Sequence, residues 1–411
     1  MQSNHGVVVL ALAVSLFAGA GRAATIQVPQ DWATIQAGIH HASKGDTVLV
    51  APGTYYEGID FKGKTITVIS SGGPEVTIID AGHQLPVAQF HAGETRQSML
   101  SGFTLQNGFG DYGGGVYISG ASPTIQNNII QANFACEGNG VAAMFSSALI
   151  SRNKIRNNQQ SGCSGGTFGG GVLIQGSGGV EVSDNTIENN YTEYGGGGIG
   201  LFAAGSVTIA RNVIRFNSTS YQGGGIATVN DVNMVFVDNV IYGNKSGQGG
   251  GISLSIPSGS QGGNFVNNTV VDNTANEGSE IYTEGFAHAV QFTNNIFRTT
   301  IGSSGLFCDA GYEAISPVFL SNDVFASNGA QTGGICASAA GQGGNIAVDP
   351  KFAGGSKAKA YQLAADSPAI DAGRKNATAG KKDLLGNPRV MDGNGDSVKA
   401  VDMGAFERQT P

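Results

Sequence analysis

Apolar and polar residues alternate along most of the chain in stretches of three or four, and each stretch ends at Gly, Asn or another turn former. Between Val172 and Asn190, the stretches are Val172-Leu173-Ile174, Val180-Glu181-Val182 and Thr186-Ile187-Glu188, with no helical period between them. The pattern predicts three short strands per unit, separated by bends. A template, Asn-x-(Ile/Val/Phe)-x-x-Asn, fixes the length of the unit. Its first Asn falls at Asn128, Asn153, Asn185, Asn212, Asn239, Asn268, Asn295 and Asn322, with Gly102 in the same phase upstream, at intervals of 25 to 32 residues and most often 27. The apolar residue follows two positions later, from Thr104 and Ile130 to Phe297 and Val324. The second Asn runs from Asn107 and Asn133 to Asn273, and Thr300 and Ser327 replace it at the end.

A second marker, a Gly cluster followed by a β-branched residue, keeps the same period at Gly113-Gly114-Gly115-Val116, Gly169-Gly170-Gly171-Val172, Gly196-Gly197-Gly198-Ile199, Gly223-Gly224-Gly225-Ile226 and Gly249-Gly250-Gly251-Ile252. Three strands with bends every 27 residues or so describe one turn of a parallel β-helix, an all-β solenoid whose coils stack at ~4.8 Å. No coil buries its inner face alone, so stability comes from neighbouring coils. Bends need positive φ, which Gly takes freely and Asn tolerates, and stacked Asn amides hydrogen-bond along a column. The Asn columns are therefore read as structural.

Both ends of such a coil need covering, because bare strand edges invite aggregation. Asp31 is the expected N-cap of an amphipathic helix over Asp31–Ser43, with Ile35, Ile39 and Ala42 at helical spacing, lying over the first coil as a cap. The organisation expected is a signal peptide over 1–23, an N-terminal cap over 24–62, the β-helix over 63–350 and a C-terminal capping module over 351–411.

Composition supports this reading by exclusion. The 411 residues include 66 Gly, and only 13% are charged. Collagen is excluded by the lack of a Gly-X-Y period, disorder by 40% apolar residues, and a helical bundle by the cost of so much Gly. The net charge of −8 argues against nucleic acid. The apolar run Val7–Gly21, ending in Gly21-Arg22-Ala23-Ala24, reads as a secretory leader cut after Ala23 or Ala24, although Met1–Gly6 carries no Lys or Arg. The run is too short to span a membrane, and no second apolar segment follows. Cys136 and Cys163 lie 27 residues apart and Cys308 and Cys336 lie 28 apart, close to the repeat. In an oxidising compartment this spacing predicts disulfides Cys136–Cys163 and Cys308–Cys336.

The opening motifs Thr25-Ile26-Gln27-Val28-Pro29, Ala33-Thr34-Ile35-Gln36-Ala37, Gly45-Asp46-Thr47-Val48, Ala51-Pro52-Gly53-Thr54-Tyr55-Tyr56-Glu57 and Gly63-Lys64-Thr65-Ile66-Thr67-Val68 resemble the start of secreted right-handed β-helix proteins of the pectate-lyase-like superfamily, pectin methylesterases among them. The repeats resemble that superfamily's generic parallel β-helix repeat, and their Gly-plus-Asn pattern is also similar to chlamydial polymorphic outer-membrane adhesins. Ser367-Pro368-Ala369-Ile370-Asp371-Ala372-Gly373, Asp383-Leu384-Leu385-Gly386-Asn387-Pro388-Arg389 and Asp402-Met403-Gly404-Ala405-Phe406-Glu407 resemble the terminal module of choice-of-anchor β-helix surface proteins. The resemblance implies a right-handed coil and is silent on chemistry, because the superfamily hosts lyases, hydrolases, esterases, epimerases and inert adhesins. No segment matches the methylesterase signature of paired Asp and Arg. The sequence stops at Pro411 with no hydrophobic tail or anchor domain, so a free secreted protein is expected.

Superfamily lyases use Lys or Arg near carboxylates on the outer face of the strand that here follows the Gly cluster. Alternation places Tyr117, Ser119, Leu173, Gln175, Gly200, Phe202, Ala227, Val229, Ser253, Ser255, Tyr282 and Glu284 on that face, and only one of these is charged. It lacks the parts for β-elimination, although sugar rings could stack on Tyr117, Phe202 and Tyr282. The charges gather beside the Asn template instead, as Arg152, Asp184, Arg211, Asp238 and as Arg156, Glu188, Arg215, Tyr242. One reading is a salt-bridge ladder that fixes coil register. The other takes Lys154, Arg156, Arg211 and Arg215 with Asp184 and Glu188 as a site for acidic polysaccharide. Asp392-Gly393-Asn394-Gly395-Asp396 has the spacing of a calcium loop, with Asp402 one residue short of the usual closing acid; the alternative is a solvated turn. No organic cofactor motif is present, and the histidines share no ligand spacing. The expected protein is a secreted monomer that binds extracellular polysaccharide or a cell-surface glycan. If it is an enzyme, lyase or hydrolase chemistry on uronates comes first. The alternative is a non-catalytic adhesin or structural surface protein.

Overall fold

The computed structural model describes residues 23–409 except 162, 164, 177, 231–232, 256–261, 285–289, 302–303, 312–316, 339–340 and 376–379; residues 1–22 of the expected leader lie outside them. The chain winds into three parallel sheets of 12, 11 and 11 strands, one strand of each per coil. Sheet A holds the strands before the Asn bend, from Thr25–Val28 to Val318–Leu320. Sheet B holds those after it, from Gly53–Tyr55 to Asp323–Ala326, and sheet C those after the Gly cluster, from Ile59–Asp60 to Thr332–Gly334. Equivalent residues stand one above another, as Thr186, Val213, Val240, Thr269 and Ile296 do in sheet B. A fourth short ladder at the bend between sheets B and C was not foreseen. It joins Phe109–Tyr112, Phe134–Glu137 and Gln159–Gln160, then continues as single bridges through Tyr191, Ser218, Lys245 and Thr274.

The core is a column of inward side chains running the length of the coil. Four phenylalanines stack within it, Phe236, Phe265, Phe292 and Phe319, with ring centroids 4.4, 4.8 and 5.0 Å apart. The Asn template forms two ladders. In the first, each Nδ2 donates to the Oδ1 of the next coil, from Asn128 through Asn153, Asn185, Asn212, Asn239, Asn268, Asn295 and Asn322 to Asn345, which the template did not include. The second runs Asn133, Asn158, Asn190, Asn217, Asn244, Asn273.

Two details of the expected pattern are corrected. Phe103 and Gly108, whose amides donate to Asn128 and Asn133, hold the ladder positions of the upstream coil rather than Gly102 and Asn107. Leu105, not Thr104, accordingly pairs with Ile130. Positive φ also falls one residue before each ladder Asn, at Arg152, Asp184, Arg211 and Asp238 (φ 54° to 60°), so the first charged column sits on the strained bend positions, while Arg156, Glu188, Arg215 and Tyr242 lie in the strands of sheet B.

The single α-helix among the described residues, α1 (Ile35–His41), is shorter than expected. Its N-cap is Thr34, whose hydroxyl accepts from Ala37 N, because Asp31 is occupied by Gln27 N. The helix rests on strands Thr25–Val28, Thr47–Val50 and Ile59–Asp60 and buries Ile35 and Ile39. Residues of the first coil hold both its ends: the Glu57 carboxylate accepts from Ile35 N and Gln36 N, and Lys64 Nζ donates to the carbonyls of Ile39, His40 and Ala42. Both predicted disulfides are formed, with Cα–Cα distances of 5.4 Å for Cys136–Cys163 and 5.2 Å for Cys308–Cys336.

The C-terminal segment lies along the outer face of sheet B. Leu363, Ala369, Ile370, Met403, Ala405 and Phe406 pack on Val240, Tyr242, Val271 and Ile296. Arg389 enters this contact fully buried, between Asp238 of the coil and Glu407 of the segment.

Candidate functional site

Only part of the expected outer face of sheet C is open. Ser119, Gln175, Phe202, Val229, Ser255 and Glu284 reach the surface and Tyr117 is half-buried, but Leu173, Gly200, Ala227, Ser253 and Tyr282 are buried. The first Gly of each cluster causes this. It folds back onto the second residue of the strand that follows, so that a Cβ on Gly196 would lie 2.5 Å from Gly200 Cα and one on Gly278 2.9 Å from Tyr282 Cα. Tyr282 is therefore no platform for a sugar ring; its hydroxyl donates to Asp309 and its ring stacks on Phe307.

A groove runs beside this face, along the bend between sheets B and C. One part, of about 380 Å³, is lined by Glu137, Phe168, Gln175, Tyr194 and Phe202. Tyr194 joins it to a second part of about 630 Å³, lined also by Tyr221, Gln222, Gln248, Asn276 and Glu277. Tyr194 and Tyr221, on successive coils, stack with centroids 4.7 Å apart and remain about half exposed. In the same lining a polar rail climbs the coil: Gln222 Nε2 donates to Gln248 Oε1 at 3.4 Å, and Gln248 Nε2 to Glu277 Oε2 at 3.0 Å. Burial raises the Glu137 carboxyl above the usual carboxylate range. No Lys or Arg is among the lining residues. Flat rings beside amide and carboxylate groups offer stacking surface together with donors and acceptors for hydroxyls. The template missed these residues because they lie outside it. A signal was present all the same: Tyr194 and Tyr221 each stand two residues before a Gly cluster, and Gln222, Gln248 and Glu277 one residue before.

The charged columns resolve into separate pairs. Arg211 Nε and Nη2 donate to both oxygens of Asp184 at 2.8 and 3.0 Å. Glu188 is shared by Arg215 and, at 3.6 Å, by Lys154, while Arg215 Nη1 also donates to Tyr242 Oη. Arg152 and Arg156 bond Gln126 and Gln131, and Asp238 turns to Arg389. Lys154, Arg156, Arg211, Arg215, Asp184 and Glu188 are thus neighbours on sheet B and its bend.

At the Asp392–Asp396 loop, the Asp392 carboxylate accepts from the amides of Gly395, Asp396 and Ser397, and Asn394 Nδ2 donates to Asp396. Asp402 is buried and accepts from Asp371 N and Arg408 N, while the Asp371 carboxylate accepts from Gly393 N and Asn394 N of the loop. No group of three or more acidic, His or Cys side chains is placed to hold a metal ion among the described residues.

No described helix is long and apolar enough to cross a membrane. A family model for right-handed beta helix regions matches residues 91–270. No curated protein matches the chain in sequence. Among solved structures, pectate lyase Pel9A aligns with a TM-score of 0.54 at 17% identity, over 95% of this chain and 98% of that one. XylC in complex with xylose gives a TM-score of 0.46 at 13% identity, over 90% of this chain and 68% of that one. The alginate lyase AlyGC of family PL6 gives 0.40 at 14%, over 91% and 60%. The chain has the right-handed parallel β-helix fold that pectate lyase Pel9A also has.

Proposed function

We propose that the protein is secreted and binds an extracellular polysaccharide along the groove at the bend between sheets B and C, without cleaving it by β-elimination. The observation that carries this reading is the stacked Tyr194–Tyr221 pair lining the same groove as the Gln222–Gln248–Glu277 rail, which climbs the coil axis. Glu137 and Glu277 would repel a uronate, and the lining has no Lys or Arg to neutralise one or to serve as base, so a neutral glycan suits the groove. The shared fold with a pectate lyase is in keeping with a polysaccharide ligand, while the chemistry rests on the groove.

Calorimetric titration with neutral and acidic oligosaccharides tests the proposal. Neutral oligomers should bind, and Tyr194→Ala/Tyr221→Ala should weaken them by about tenfold or more, the worth of one to two lost ring contacts. Ultraviolet absorbance at the unsaturated uronate band should stay flat on pectin and alginate. Unchanged affinity in the double variant would overturn the groove assignment, and a rising absorbance would overturn the non-lyase reading.

A further inference from the structure

The C-terminal segment covers the outer column of sheet B from Ile296 back to Val240 and ends its cover at the half-buried Val213. A cleft of about 440 Å³ opens where it does so. The floor is the next two rungs of the same column, Val213 and Thr186, and the roof is Ala358, Leu384 and Leu385. Four cations, Arg211, Arg215, Lys357 and Lys359, line it against a single carboxylate, Asp184. Asp184 is already bonded twice by Arg211, and Arg215 shares Glu188 with Lys154. Lys357 and Lys359 are exposed, and no ion pair among the described residues includes either. In a chain of net charge −8 the cleft is thus a local excess of positive charge beside an apolar strip.

We infer that this cleft is a second ligand site, separate from the groove, and that it takes a uronate unit of an acidic glycan. The apolar strip of Val213, Leu384 and Leu385 receives one face of the sugar ring. The two unpaired ammonium groups and the exposed edge of Arg211 receive its carboxylate. Cations without an apolar wall would suit any small anion; here the wall selects an anion that carries a ring. No residue of the groove takes part, so the two sites stand or fall separately.

The test is calorimetric titration of the full chain carrying Tyr194→Ala/Tyr221→Ala, which removes the groove's own binding of neutral glycan, with uronate oligomers, neutral oligomers of the same length and inorganic phosphate. Uronate should bind selectively, with affinity that falls as salt rises. Lys357→Gln/Lys359→Gln should weaken it tenfold or more without moving the melting temperature, because both side chains are exposed. Leu385→Asp, which sets a carboxylate in the roof, should abolish it, and restoring Tyr194 and Tyr221 should leave it unchanged. Absent uronate binding, equal binding of the neutral oligomer or of phosphate, or full affinity in the lysine variant would each overturn the inference.

Discussion

The ladder asparagines make clear what a single side chain contributes in a stacked coil. Asn212 Nδ2 donates to Val182 O, Ala210 O and Asn239 Oδ1, so one amide ties together two strands of sheet A and the next rung. The second ladder ends at Asn273, and in the next coil Thr300 stands where an Asn is expected. Glu280 fills the gap: its fully buried carboxyl accepts from Asn273 Nδ2 at 2.7 Å. Glu280 occupies the column of Gly198, Gly225 and Gly251, the last of which pairs its strand one position before Ile252 and Ile281. At Gly198 a Cβ would come 3.0 Å from the ladder amide of Asn217, so a side chain enters this column only where the ladder has lost its Asn. The two departures from pattern, both visible in the sequence, compensate each other in space. Burial raises the Glu280 carboxyl well above the usual range, which favours its neutral form. Glu280→Gln should therefore melt close to the parent. Glu280→Ala, which removes the buried acceptor shared by Asn273 N and Nδ2, should lose about 1–3 kcal/mol in urea unfolding. Equal loss in both variants would contradict this account.

At the scale of the element, the three-strand coil was legible because strands and Asn bends recur at nearly constant spacing. The Gly clusters were legible as bends, yet only partly for the right reason. The first Gly of each has φ between 61° and 73°, as at Gly113, Gly169, Gly196, Gly223 and Gly249. The second and third are glycine because neighbouring coils leave no room: a Cβ on Gly198 would sit 2.6 Å from Gly225 O and 2.9 Å from Ile214 Cγ2. Gly198→Ala should lower stability by about 1–3 kcal/mol, through displaced backbone. Gly178→Ala, with nothing within 4 Å, should stay within about 0.5 kcal/mol, both measured by urea midpoint. The groove was legible only at Gln175 and Phe202, which strand alternation turns outward; Tyr194, Tyr221, Gln222, Gln248 and Glu277 lie in bends where no alternation signals which way a side chain faces. The helix was legible in place but not in extent, since its caps come from Thr34, Glu57 and Lys64 rather than from its own first turn.

At the scale of the molecule, the C-terminal motifs act together. Arg389 and Glu407, each inside a motif, meet Asp238, 151 residues before Arg389. The motifs were visible in the sequence, but the partner was not, because Asp238 differs little in context from the exposed Asp184 two coils earlier in the same column. This contact makes stability depend on pH. Burial pushes Asp238 up to about 6, Asp402 to about 7 and Asp323 to about 8. The folded chain thus holds protons that the unfolded chain releases above about pH 4, so their contribution is full below that and is lost as pH rises through 6 to 8. Asp46 and Asp80, whose ranges are lowered, act in the opposite sense and set the acid limit. The melting temperature should fall from about pH 5 to pH 8, with amides of residues 363–407 exchanging earliest. A flat or rising profile would contradict the assignment.

Synthesis proceeds from the N-terminus, so the coils bearing Val240, Val271 and Ile296 leave the ribosome long before Leu363 to Phe406, which shield them. For that interval the newborn polypeptide carries a greasy flank and an acid, Asp238, without its guanidinium counter-ion. Any helper that escorts the chain through its biogenesis has its natural purchase on those rungs, and loses it when the tail closes.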